Sequence, residues 1–287
     1  MFLKEITGIY LGETTIEYSS LKRQFRAWRH SETPVYAEIT GRSPMERLNN
    51  LLSGLKPRAG RKICISIPRS RYFIRELSFQ GITAEEAENS AKIAIGIHSH
   101  LPKEDIYFDV WATESKGMAR VLLVYARRTY IDQIIETVKR TGHRKSLGYI
   151  CPSGLGTDLL LRYSTKTGFP ALSIQEEDQQ LVLNLHGEHA WEGSHAIKGK
   201  GDSSDISRAI ELLPVKFKET KQFFRIGDTG HEMDGLTPRD PCSTFQSLAD
   251  ICNESGANKG LAACFPATVS YPQICFQDRP RRFLGLS

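Results

Sequence analysis

Residues 64–110 read CISIPRSRYFIRELSFQGITAEEAENSAKIAIGIHSHLPKEDIYFDV. "ICISIP" (63–68) is an unbroken apolar and β-branched run, which fits a buried strand with Cys64 as a buried thiol. "RYFIRELSF" (71–79) alternates and reads as a half-exposed strand. Thr83-Ala-Glu-Glu86 has the form of a capping box: the threonine hydroxyl takes a free backbone N–H and Glu86 reaches back to the cap. Ala87, Ala91, Ile95 and His98 then share one helical face, and Pro102 blocks continuation. "DIYFDVWA" and "MARVLLVYARR" are expected as paired strands. "TYIDQIIETVKRTG" is expected as a helix with Ile131, Ile134, Ile135 and Val138 inward and Gly142 at its end. The order over 63–142 is therefore β-β-α-β-β-α. This predicts a compact subdomain whose Thr83 helix packs on a sheet containing Ile63, Ile65 and Ile67.

Working outward, "ITGIYLGETTIEY" (6–18) is two β-runs around Gly12, with Thr14 and Thr15 after it. Residues 1–40 read as strands, including "TPVYAEI". "PMERLNNLLSGL" is a helix capped by Ser43, with Met45, Leu48, Leu51 and Leu52 on one face. Beyond residue 150, "CPSGLGTDLLLRYSTKTG" holds a short helix. "PALSIQ", "QQLVLNLHG" and "HAWEGSHAI" form an antiparallel meander. Asp205 is placed as the cap of "ISRAIELL". "FKETKQFFRIGDTGHEMDGL" reads as a strand, a glycine turn and a short helix. No internal repeat is visible.

With 287 residues the chain is long enough for two lobes and a sizeable core. Hydrophobic content of 40% and charged content of 25% are those of a globular protein. A net charge of +5, without an arginine-rich arm or basic stripe, argues against nucleic acid as partner. The six cysteines form no C-x-x-C pair, so a zinc knuckle or redox centre is not indicated, and reduced thiols are expected. The N-terminus lacks the pattern of a signal peptide, and no window is apolar enough to span a membrane. His186, His189 and His195 lack helical metal spacing and read as surface histidines. "GSHAIKGKG" (193–201) misses the phosphate-loop spacing. Ser70 and Ser153 have no nucleophile elbow, and nothing in the sequence supplies Cys151 with a base.

The residues of 64–110 resemble the PilM-like proteins of type IV pilus machinery and the cytoplasmic domain of the type II secretion protein GspL. The likeness is carried by Pro68, Arg69, Ser70, Arg75, Leu77, Leu101, Pro102, Tyr107 and Asp109. It implies an α/β chain of mixed α+β character with the two-lobe, ribonuclease H-like architecture of actin-like ATPases and an inserted β-α-β subdomain. The first lobe would be 1–150, including the insert at 63–142, and the second 151–287 with a basic tail at Arg279–Arg282.

The same resemblance implies three nucleotide motifs, of which one in three is recognisable. In sugar kinases, Hsp70 and actin-like ATPases, an aspartate usually precedes the glycine of the first hairpin by two residues. Tyr10 stands there, while Gly12, Glu13, Thr14 and Thr15 remain. The second motif falls at Gln175-Glu176-Glu177-Asp178, which has no glycine and carries carboxylates that repel phosphate. Gly227, Asp228, Gly230 and Gly235 match the third. The reading is a non-catalytic scaffold with no required cofactor. It would dock a secretion or pilus-assembly ATPase and a PilN- or GspM-like membrane protein at the cytoplasmic face of the inner membrane, and a homodimer is compatible with it. The tail is compatible with a chain cut before a membrane helix. The expected partner surface is Arg71, Arg75, Glu76 and Glu85. The alternative is a working ATPase, or a protein of the same fold that binds ATP.

Overall fold

The computed structural model describes residues 5–24, 27–30, 42–115, 117–164, 169–197, 203–220 and 223–226. "TPVYAEI", the glycine turn at Gly227–Gly235, the basic tail and the four cysteines after Cys151 lie outside the described residues.

The first sheet opens with β1 (Glu5–Leu11), β2 (Ile16–Gln24) and β3 (Ala27–His30) as an antiparallel meander. After α1 (Pro44–Gly54) the chain returns as β4 (Arg61–Ile67), parallel to β1. Ser43 caps α1 as the sequence predicts, accepting from the Glu46 N–H at 3.2 Å. Every residue of β1 is buried. It is a central strand covered on both faces, so its sequence shows no alternation. A buried ion pair pins the β1–β4 register at its lower end: Arg61 Nη2 donates to Glu5 Oε1 at 2.6 Å.

The insert leaves the sheet after β4 through a 3-10 turn at Arg69–Arg71. It comprises β5 (Tyr72–Gln80), α2 (Ala84–Ile93), α3 (Ile95–His98), β6 (Ile106–Ser115) and β7 (Met118–Arg127). The strands form their own antiparallel sheet, in the order β5-β7-β6. Both halves of the Thr83–Glu86 capping box are made: Thr83 N–H donates to Glu86 at 2.8 Å and Glu86 N–H to Thr83 Oγ1 at 3.2 Å. β7 is the middle strand. Its Val121, Leu123 and Tyr125 pack with Ala87, Ala91 and Ile95 of the α2–α3 segment, while Leu122, Val124 and Ala126 join the first-lobe core. Burial on both faces is why "VLLVYA" reads as a continuous apolar run.

This corrects the expected placement of the Thr83 helix. Ile63, Ile65 and Ile67 lie on β4 in the first-lobe core, and the α2–α3 segment packs on β6 and β7 instead. The unit 63–142 accordingly mixes two bodies, since β4 and the helix α4 (Arg128–Arg140) belong with the first lobe. α4 packs on α1, buries Ile131, Ile134, Ile135 and Val138 as expected, and ends at Gly142 (φ +81°). β8 (Leu147–Pro152) pairs parallel with β4 and completes the sheet order β3-β2-β1-β4-β8. Cys64 and Cys151 are buried free thiols on adjacent strands, and burial pushes the Cys64 thiol up to about 12.

α5 (Ser153–Ser164) connects to the second lobe and touches both sheets, packing on β4 and β8 and on β10 and β11. The second lobe starts with β9 (Ala171–Glu177), β10 (Gln180–His186) and β11 (Trp191–Ala196), the expected meander. Then come α6 (Ser203–Glu211), α7 (Val215–Lys218) and β12 (Phe223–Ile226), which lies parallel to β9. α6 begins at Ser203, so Asp205 sits in its first turn rather than at the cap. The sheet order β11-β10-β9-β12 repeats β3-β2-β1-β4. The chain thus carries one β-β-β-α-β plan twice, an internal repeat of topology that the sequence does not reveal. The fold is the α/β, two-lobe arrangement with an insert that the resemblance implies.

Candidate functional site

The repeat brings two hairpin turns face to face. In the first lobe, the pairing of Leu11 with Ile16 leaves residues 12–15 as the β1–β2 turn. It is closed by a Gly12 N–H donating to Thr15 O at 3.0 Å. In the second, the pairing of Glu177 with Gln180 leaves Asp178 and Gln179 as the β9–β10 turn. Both turn residues are left-handed, with φ of +50° and +66°. Two successive positive φ values suit the twist of a two-residue hairpin, and Asp accepts that conformation far better than Gln.

The two turns touch. Asp178 Oδ1 accepts from the Thr14 N–H at 2.9 Å and from the Thr14 hydroxyl at 3.2 Å. Gly12 is required by this approach, because a Cβ there would stand 2.8 Å from Asp178 Oδ1 and 3.0 Å from the Tyr10 ring. Tyr10 is fully buried. Burial, followed by the carboxylates of Glu177, Asp178 and Glu17, holds its hydroxyl well above the ordinary tyrosine range. The residue standing in the acid's place is therefore a neutral ring that fills space.

The remaining groups around the turn are engaged by other parts of the chain. Arg47 of α1 donates Nη2 to Gly12 O at 3.4 Å and to Glu13 O. Arg71 grips the Glu13 carboxylate through Nε and Nη2, with its guanidinium 4.6 Å from the centre of the Tyr130 ring. Glu177, also buried, accepts from the Arg69 N–H and the Ser153 hydroxyl, each at 2.5 Å, and from Gln175 Nε2. Arg69 in turn donates Nε to Ser194 O at 2.8 Å.

Among the described residues, the groups at the two turns do not fit a nucleotide phosphate. Phosphate binding at a tight turn needs backbone N–H groups aimed at open space and a field that favours anions. Here the Thr14 N–H is spent on the Asp178 carboxylate, and the charges of Glu13 and Arg71 beside it are spent on each other. Hydrolysis further needs a carboxylate free to orient water; both oxygens of Glu13 and of Glu177 are taken, and Asp178 is taken through Oδ1.

Of the residues singled out in the sequence, Gly12, Glu13, Thr14 and Thr15 form the first turn as expected. Gly227, Asp228 and Gly230 lie outside the described residues. Arg71 faces the turn instead of standing with Arg75 and Glu76. Arg75 and Glu76 are exposed on the edge strand β5, on opposite faces of its sheet because they are successive, and Glu85 is exposed in the first turn of α2. Sequence reasoning missed Arg47 and the roles of Arg69 and Asp178. Their partners are 34 to 164 residues away, and no local pattern marks them.

A second constellation was also missed. Ser173 Oγ lies 2.8 Å from His186 Nε2, and His186 Nδ1 lies 2.9 Å from Asp158 Oδ1. These are nucleophile–base–acid contacts, yet all three side chains are wholly buried. Arg162 forks onto Asp158 at 2.8 and 3.2 Å, and Asn184 donates to Ser173 at 3.3 Å. The set is a buried network between α5 and the β9–β10 face. It also corrects the reading of His186 as a surface histidine. Among the described residues no cluster is arranged to hold a metal ion.

No protein-family model and no curated protein sequence matches the chain. Solved structures do match. The cytoplasmic domain of EpsL, an inner membrane component of the type II secretion system of Vibrio cholerae, aligns with a TM-score of 0.50 at 13% identity, covering 89% of this chain and 98% of that one. A Bacteroides thetaiotaomicron protein with an actin-like ATPase fold and unknown function aligns with a TM-score of 0.50 at 10% identity, covering 92% and 96%. A PilM–PilN type IV pilus biogenesis complex aligns at 0.48 and 12% identity, covering 87% and 73%. The chain has the actin-like ATPase fold, and the fold likeness extends to the secretion-system domain that the sequence resembles.

Proposed function

We propose that the protein is a non-catalytic docking component of a type II secretion or type IV pilus platform, at the cytoplasmic face of the inner membrane. It binds the assembly ATPase and a PilN- or GspM-like membrane partner, and it needs no nucleotide. The observation that carries this reading is Asp178 on the Thr14 N–H, where a nucleotide phosphate would have to sit. The residues of 64–110 that resemble GspL and the PilM-like proteins, and the fold likeness to the EpsL domain, support the choice of system. Among the described residues no helix is long and apolar enough to cross a membrane, so in this reading a partner or another segment supplies membrane attachment.

The contact surface is assigned to the edge strand β5 and the start of α2, with Arg75, Glu76 and Glu85 as its exposed charges. An edge strand offers main-chain groups to an added strand, and rim charges set association rate and specificity. Pull-down with the purified ATPase and with the cytoplasmic segment of the membrane partner tests it. Saturable binding by the wild type is expected, with about ten-fold weaker binding by Arg75→Glu/Glu76→Lys at low salt. Absence of binding to both partners would remove this function. A double mutant that binds like the wild type would move the interface off β5.

A further inference from the structure

We propose that Asp178 is an internal substitute for a bound phosphate: its carboxylate sits on the β1–β2 turn and latches the two lobes together with no ligand. The inference concerns the state of the cleft and holds whichever partner the protein docks.

Three features of the geometry carry it. First, one carboxylate oxygen takes both the backbone N–H and the hydroxyl of Thr14, at 2.9 and 3.2 Å, and an anion on a turn N–H is a charge-assisted bond. Second, the approach is built in from both sides. Gly12 has no side chain where a Cβ would stand 2.8 Å from Asp178 Oδ1, and the left-handed Asp178–Gln179 pair sets the turn that carries this carboxylate. Third, the same hairpin makes a second grip, with Glu177 on the Arg69 N–H at 2.5 Å, and Arg69 reaches on to Ser194 O of β11 at 2.8 Å. One hairpin of the second lobe thus holds two separate segments preceding it in the chain, the β1–β2 turn and the start of the insert.

An anion tethered in place is present at high effective concentration, and any diffusing anion must displace it. In a nucleotide-gated cleft the ligand supplies the bridging charge and closure depends on it. Here the chain supplies the charge, so closure is constitutive.

Hydrogen exchange on the full chain, without nucleotide or partner, tests the latch, so its failure is distinct from failure of the docking role. Asp178→Gly removes the carboxylate at a position whose φ of +50° glycine accepts readily, so the turn itself is kept. The wild type should protect the Thr14 amide. The variant should exchange it about ten-fold faster or more, with the Arg69 amide accelerating alongside and β7 amides unchanged. Unchanged exchange at Arg69, or no protection of Thr14 in the wild type, would overturn the latch. If circular dichroism finds the glycine variant unfolded, Asp178→Asn keeps the shape and removes the charge. It should then show the same acceleration at both sites to a smaller extent, and an unchanged pattern overturns the proposal.

Discussion

Thr83 and Glu86 fix the start of α2 by two reciprocal hydrogen bonds, so this end of the helix depends on one hydroxyl and one carboxylate. Thr83→Ala should cost about 1 kcal/mol, read as a lower denaturant midpoint at unchanged m-value. The backbone bond from Thr83, and then its hydroxyl, lower the Glu86 pKa below the ordinary 4.5. A carboxylate held low in the folded state stabilises above its unfolded value and loses that contribution as pH falls through the folded one. The first-turn amides of α2 should therefore lose protection below pH 4.5 in the wild type, and lose none with pH in Glu86→Gln. At the other hairpin, Gln179 sits at φ +66° without being glycine. Gln179→Gly should stabilise the fold by about 1 kcal/mol in equilibrium unfolding, since it relieves the left-handed cost. The capping box was legible because its two residues are three apart. The Asp178–Thr14 contact joins residues 164 apart, and nothing near either one announces it.

At the scale of elements, hydrophobic pattern located strands and helices well but not their partners. The Ser43 and Thr83 helices, the Ile131–Val138 face and the β9–β10–β11 meander all stand where periodicity placed them. The sheet that receives α2 was misassigned, because β4 and β7 are equally apolar runs and each is buried on both faces. A period-free strand carries no mark of which sheet it joins. The pairing makes a test. Leu123 of β7 packs with the α2–α3 segment inside the insert and is wholly buried, so Leu123→Ala should destabilise by about 2–5 kcal/mol. Exchange in α2 should rise most. Ile65→Ala on β4 should leave α2 amides comparatively protected while loosening β1 and β8. The reverse pattern would place α2 on the first sheet after all.

Across the whole molecule, the doubled β-β-β-α-β plan puts the two hairpins opposite each other, and the chain fills the space between them with its own side chains. The two lobes were legible from length and resemblance. The duplication was not, because each copy keeps strand order while replacing its residues. The departures at the first two nucleotide motifs were half legible: Tyr10 and the acidic second turn were plain in the sequence, whereas the bond from Thr14 to Asp178 needed coordinates. The central claim is that this cleft takes no nucleotide. Titration calorimetry of Mg–ATP into the wild-type chain, paired with a thermal shift at millimolar nucleotide, tests it most directly. The account predicts no saturable heat and an unchanged Tm. Saturable binding, with the stabilisation of about 2.7 kcal/mol that ligand at a hundred times its Kd confers, would contradict it.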